Sequence, residues 1–158
     1  MTVEVDSARN RVSSVEIVTA ARGWIGTPYE HQARTRSAGT ECLGFLRGIS
    51  RELYGFEPEA PPAYTPDWSQ TTGEEAMLAA AARNLRPILE SDAREGDVVV
   101  MRMRPRSVAK HIGVLAQSSL GHATLIHAYS GHGVVESPLT PDWRARIAAY
   151  FRFPDRSD

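Results

Sequence analysis

Cysteine is nearly absent: of 158 residues only Cys42 carries a thiol. A single cysteine excludes an internal disulfide and any zinc cluster built from several thiolates. No run approaches the ~20 consecutive apolar residues that a membrane-spanning helix needs. The N-terminal stretch, with Glu4 and Asp6, lacks the apolar segment of a signal peptide, so secretion by an attached signal is not expected. Neither sign of charge dominates. Eighteen basic and nineteen acidic side chains leave a formal charge of -1, which gives no reason to expect a nucleic-acid partner. The Gly-rich bend before Cys42 lacks the Gly-Lys-Ser/Thr ending of a phosphate-binding loop.

Enough apolar residues are present for a core, 42% of the chain, and the length suits one domain. Residues 1–12 are polar and read as a flexible arm, or as a contact segment; residues 13–154 read as the single domain. Ser13 followed by Glu16 resembles a capping box. Ile17, Ala20, Ala21 and Trp24 then mark one face of a helix that ends among Gly23 and Gly26. Cys42, Phe45, Leu46, Ile49 and Leu53 recur at helical spacing and predict a second helix, with Gly55 as its terminator. Pro58, Pro61, Pro62 and Pro66 forbid regular structure in the next connection. Thr72 and Glu75 open an Ala-rich helix that runs to about Asn84. From there the period becomes extended, with short strands at 97–103, 111–115, 123–128, 134–136 and 147–153. Helices first and strands afterwards predict an α+β fold: N-terminal helices, one bearing the cysteine at its start, on an antiparallel sheet of about five strands.

The position of Cys42 matters chemically. A thiol in the first turn of a helix lies beside free N–H groups and the positive end of the peptide dipoles, which favour a thiolate. A cysteine hydrolase also needs an imidazole to take the thiol proton and a polar group to orient that ring. His111 begins one strand, with Gly113 expected to leave open space beside it, and His127 lies near the end of the next. Adjacent antiparallel strands can bring the two rings side by side. The alternative for Cys42 is a small buried hydrophobe, and His31, His122 and His132 are further imidazoles. Tyr29 is either an anchor for the Gly-Thr-Pro-Tyr turn or a hydroxyl that, with the Cys42 N–H, holds a developing oxyanion.

Several stretches together resemble the NlpC-type cell-wall peptidases, which are papain-like cysteine hydrolases. They are Ala21-Arg-Gly-Trp-Ile-Gly-Thr-Pro-Tyr29, Gly39-Thr-Glu-Cys-Leu-Gly44, Gly96-Asp97 before a β run, Lys110-His-Ile-Gly-Val114 and Ile126-His-Ala128. The resemblance spans residues 18–153. Within the family, the phage-tail and gene-transfer-agent branch is closest in flavour. Its marks are Tyr29-Glu-His-Gln32, Arg51-Glu-Leu-Tyr-Gly55, Tyr64-Thr-Pro-Asp-Trp68 and Arg146-Ile-Ala-Ala-Tyr-Phe-Arg-Phe153.

The resemblance implies that Cys42 is the nucleophile, His111 the general base and then acid, and His127 the orienting residue. It places Tyr29 and Glu41 on the oxyanion or substrate-binding side. Glu41 stands where the family usually has Asp, so the carboxylate reaches one methylene further. The implied activity is cleavage of peptidoglycan stem peptides, commonly between D-γ-glutamyl and a diamino acid. Apart from the resemblance, a basic rim such as Arg102 or Lys110 could meet the carboxylates of such stems. No cofactor, metal or membrane insertion is implied. The implied setting is a phage-like tail, assembled with hub or baseplate proteins after synthesis in the cytoplasm and acting at the host cell wall or periplasm. A structural hub role and an amidase or acyltransferase activity are the alternatives.

Overall fold

In the computed structural model the described residues are 10–29, 34–35, 39–40, 42–55, 75–129 and 131–156. Helix α1, Ser14–Arg22, starts as the sequence predicts: the Ser13 hydroxyl accepts the Glu16 N–H at 3.1 Å. Its apolar stripe buries Ile17, Val18 and Ala21. Two short strands, β1 (Arg34–Thr35) and β2 (Gly39–Thr40), pair antiparallel ahead of helix α2, Cys42–Tyr54. Helix α2 buries Cys42, Phe45, Leu46, Ile49 and Leu53, the stripe read from their spacing. Trp24 crosses it edge-on to Phe45, with centroids 6.0 Å apart, and donates from Nε1 to Glu52 at 3.2 Å. Helix α3, Ala76–Asn84, is followed by β3, Arg86–Ile88.

The remaining elements are β4 (Val98–Met101), β5 (His111–Gln117), β6 (Ala123–Tyr129), β7 (Gly133–Pro138), helix α4 (Pro141–Ala145) and β8 (Ile147–Arg152). They form one sheet in the order β3-β8-β4-β5-β6-β7, with every neighbouring pair antiparallel. The meander read from the sequence is β4 to β7; the last strand crosses back to lie between β3 and β4. Strand β3 adds to the five strands expected. Pro87 lies within it, and a proline has no N–H for a ladder, so it marks a strand only at a sheet edge. That is where β3 lies.

The period-2 alternation separates two cores. Val98, Val100, Ile112, Val114, Ala116, Ile126 and Ala128 pack with the stripes of α1, α2 and α3. Val99, Met101, Leu115 and Leu125 belong to a second cluster, capped by Leu139, Trp143, Ile147 and Tyr150. Asp97 anchors the entry to β4. Its carboxylate accepts two bonds from Arg152 at 2.8 and 2.9 Å and one from the Arg94 N–H at 2.8 Å.

Residues 1–9 of the expected arm lie outside the described residues, as does Thr72. Residues 10–12 are tied to the C-terminal segment. The Asn10 carbonyl accepts the Arg156 N–H at 2.7 Å, and the Val12 N–H donates to Asp155 at 3.0 Å. Among the described residues no helix is long and apolar enough to cross a membrane.

Candidate active site

Cys42 is the first residue of α2, and its side chain is buried. The thiol donates to the Lys110 carbonyl at 3.3 Å, and Lys110 directly precedes the first residue of β5. That residue is His111. The start of α2 therefore sits at the start of β5, with the thiol held against the residue that precedes His111. His111 is itself buried, and its Nε2 lies 2.7 Å from Nδ1 of His127 on β6. The other ring nitrogen of His127, Nε2, lies 2.9 Å from the hydroxyl of Ser137 on β7.

Strand register explains the contact. Val114 pairs with Ile126; continued by one residue, this register sets His127 level with Gly113 and one pleat from His111. Gly113 does not leave the open space expected of it. A Cβ built there would lie 2.6 Å from Leu125 Cδ1 and 3.2 Å from the Ile126 carbonyl oxygen. Leu125 fills the slot, so the glycine permits close packing of β5 on β6 instead of a void beside the imidazole.

Aromatic rings enclose the pair. Trp143 of α4 stacks on His111 (centroids 5.8 Å apart, planes at 29°) and meets His127 edge-on at 4.9 Å. Tyr129 stacks on His127 at 5.5 Å, and His132 stacks on Tyr129 at 5.0 Å. This enclosure sets the charge state. Burial pushes His111 down to about 3, with repulsion from His127 and Arg146 adding to it. Burial likewise pushes His127 down to about 4, with His132 contributing. Both rings are therefore neutral near pH 7.

Of the residues singled out from the sequence, the structure brings His111 and His127 into contact and places Cys42 against the residue preceding His111. Tyr29 is exposed at the end of a turn that pairs with β7: Gly26 N–H donates to the Val134 carbonyl at 3.0 Å, and Val134 N–H to the Thr27 carbonyl at 2.8 Å. Gly133 makes this approach possible, because at its φ of +71° a Cβ would lie 2.4 Å from the Thr27 oxygen. Glu41 and His31 lie outside the described residues. His122 is exposed before β6, away from the pair, and donates its N–H to the Ser118 hydroxyl. Arg102 is committed to Glu75 and to the Ser107 carbonyl, so it braces α3 instead of standing free as a rim.

Sequence reasoning missed Ser137, Tyr129 and Trp143. Tyr129 was within reach, being two residues from His127 and so on the same strand face. Trp143 lies on a helix of five residues, too short for a periodic pattern. Ser137 lies one residue past the stretch read as a strand. Among the described residues no group of three or more His, Cys, Asp or Glu side chains is placed to hold a metal ion.

Comparison with known proteins bears on the same region. A family model described as the NlpC/P60 family matches residues 26–152. The chain is 26% identical over 142 residues to a gamma-DL-glutamyl hydrolase of Bacillus subtilis, covering 89% of this chain and 30% of that protein. It thus spans under a third of that relative's length. The NlpC/p60 domain of the peptidoglycan hydrolase SagA superposes with a TM-score of 0.63 at 20% identity, covering 90% of this chain and all of that one. An NlpC/P60 family protein from Bacillus cereus gives 0.60 at 17% identity, over 92% of this chain and 42% of its own. At these identities the structural likenesses speak for the fold alone.

Proposed function

The chain belongs to the NlpC/P60 family, and on that premise we propose that it is a cysteine endopeptidase acting on peptidoglycan stem peptides. The observation that carries the reading is the hydrogen-bonded line from buried His111 through buried His127 to Ser137, which begins one residue from the carbonyl that holds the Cys42 thiol. With His111 Nε2 engaged by His127, Nδ1 is the nitrogen left to act as base.

In this reading Nδ1 of His111 takes the thiol proton as sulfur attacks the amide carbonyl. The C–S bond forms and the carbonyl electron pair moves to oxygen, held by the Cys42 backbone N–H with Tyr29 beside it. Collapse breaks the C–N bond, and the His111 imidazolium gives its proton to the leaving amine. Water, deprotonated by His111, then attacks the thioester; the acid leaves and the thiolate recovers the proton. The neutral resting state of His111 suits this sequence, because a base must be unprotonated before the first step. The name of the Bacillus subtilis relative supports a γ-glutamyl linkage as the point of attack.

Replacing Cys42 by Ala and incubating both proteins with purified sacculi tests the activity. Muropeptides cut between D-γ-glutamyl and the diamino acid are expected from the wild type alone. Equal cleavage by both proteins would overturn the reading, and release of the whole stem from the glycan would assign an amidase instead. Placement in a phage-like tail or gene transfer agent extends the proposal. It rests on the sequence stretches at 29–32, 51–55, 64–68 and 146–153, and is tested by mass spectrometry of particles purified from the producing cell. Particles containing the chain but cleaving no stem peptide would favour a hub or baseplate component.

A further inference from the structure

Both ring nitrogens of His127 are engaged: Nδ1 lies 2.7 Å from His111 Nε2, and Nε2 lies 2.9 Å from the Ser137 hydroxyl oxygen. The ring itself is fully buried, so no solvent competes for either nitrogen. A neutral imidazole has one N–H and one lone pair, and the line therefore has two possible proton arrangements. In the first, His111 Nε2–H donates to His127 Nδ1, and His127 Nε2–H donates to Ser137. His111 Nδ1 then carries a lone pair and can accept a proton from a thiol. In the second, Ser137 donates to His127 Nε2, His127 Nδ1–H donates to His111 Nε2, and His111 Nδ1 is left bearing a hydrogen. The second arrangement has no base.

Which arrangement holds depends on the outer end of the line. Ser137 is only half-buried, on a strand at the edge of the sheet. Its hydroxyl proton can be solvated by water, leaving an oxygen lone pair free for the buried ring. We propose that Ser137 is a positioning residue of this site: its hydroxyl oxygen accepts the His127 Nε2–H, fixes that tautomer, and so keeps Nδ1 of His111 unprotonated and free to act as a base. The catalytic consequence rests on the hydrolase reading above; the tautomer assignment does not.

The tautomers are observable through long-range proton–nitrogen correlations of protein labelled with nitrogen-15 histidine, recorded at pH 7. In the wild type, His127 is expected to show a protonated Nε2 and an unprotonated Nδ1. Ser137→Ala should move both His127 nitrogens toward averaged values, and Ser137→Thr, which keeps the hydroxyl, should restore them. On stem peptides, Ser137→Ala should lower kcat about tenfold with KM little changed, the rate equivalent of one hydrogen bond, with recovery in Ser137→Thr. A wild-type His127 protonated at Nδ1 would overturn the proposal, as would ring signals unchanged in Ser137→Ala. The ring signals decide the role of Ser137 whether or not stem peptides are cleaved, whereas an absence of cleavage counts against the hydrolase reading alone.

Discussion

Lowering the pH from 7 to 5 is expected to cost the folded domain about 4 kcal/mol through His111 and His127 together. Both rings start from an ordinary value of 6.5 in the unfolded chain and are held at about 3 and about 4 when folded. Folded-state values below the unfolded ones mean that the unfolded chain binds more protons, so stability falls as pH falls through 6.5. The loss continues until the folded values are reached. Integrating from pH 7 to 5 gives about 2 kcal/mol for each ring. The window is informative because carboxylates add little to it. Glu16, Glu75 and Glu136 are each held below 4.5 by arginine contacts, hydrogen bonds or both, so their own losses come mainly at lower pH. Urea unfolding of the wild type and of His127→Gln at pH 7, 6 and 5 measures the effect. The wild type should lose a large part of its stability, and the variant should lose about half as much. A wild-type loss under about 1 kcal/mol, or an equal loss in the variant, would refute the picture of a buried neutral pair.

Two further expectations concern the scaffold. Asp97→Asn removes the negative partner of Arg152 at a carboxylate that is 1% exposed, and should destabilise the domain by about 3 kcal/mol in urea titrations; a change under about 1 kcal/mol would mean that Arg152 finds another partner. Gly48→Ala places a Cβ 2.2 Å from Trp24 Cζ2, against a ring already locked by Phe45 and Glu52. It should cost about 1–3 kcal/mol and alter the near-ultraviolet circular dichroism of the tryptophans, whereas an unchanged spectrum would contradict the packing.

Much of the layout was legible because it rests on local periodicity. The Cys42–Leu53 stripe, the capping serine of α1 and the alternation through β4, β5 and β6 are each set by neighbours within a few residues. Strand β3 was hidden for a local reason too, since Pro87 argues against any strand until the sheet edge is known. The void expected at Gly113 failed differently. A missing side chain says that space is required, not which neighbour takes it, and here Leu125 takes it from the next strand.

The same division applies to the candidate site. By itself the sequence determined that one thiol would start an amphipathic helix and that two histidines would lie on adjacent strands, because residue type and period decide both. Only the tertiary structure decided what those groups meet: the Lys110 carbonyl for the thiol, His127 for His111, Ser137 at the end of the line, and Trp143 and Tyr129 around it. Those contacts join residues from α2, β5, β6, β7 and α4, and depend on strand register and on how a five-residue helix lies across a sheet. Register is a property of paired strands, so no single segment encodes it. The burial that keeps both rings neutral arises the same way, from side chains distant in sequence closing over them.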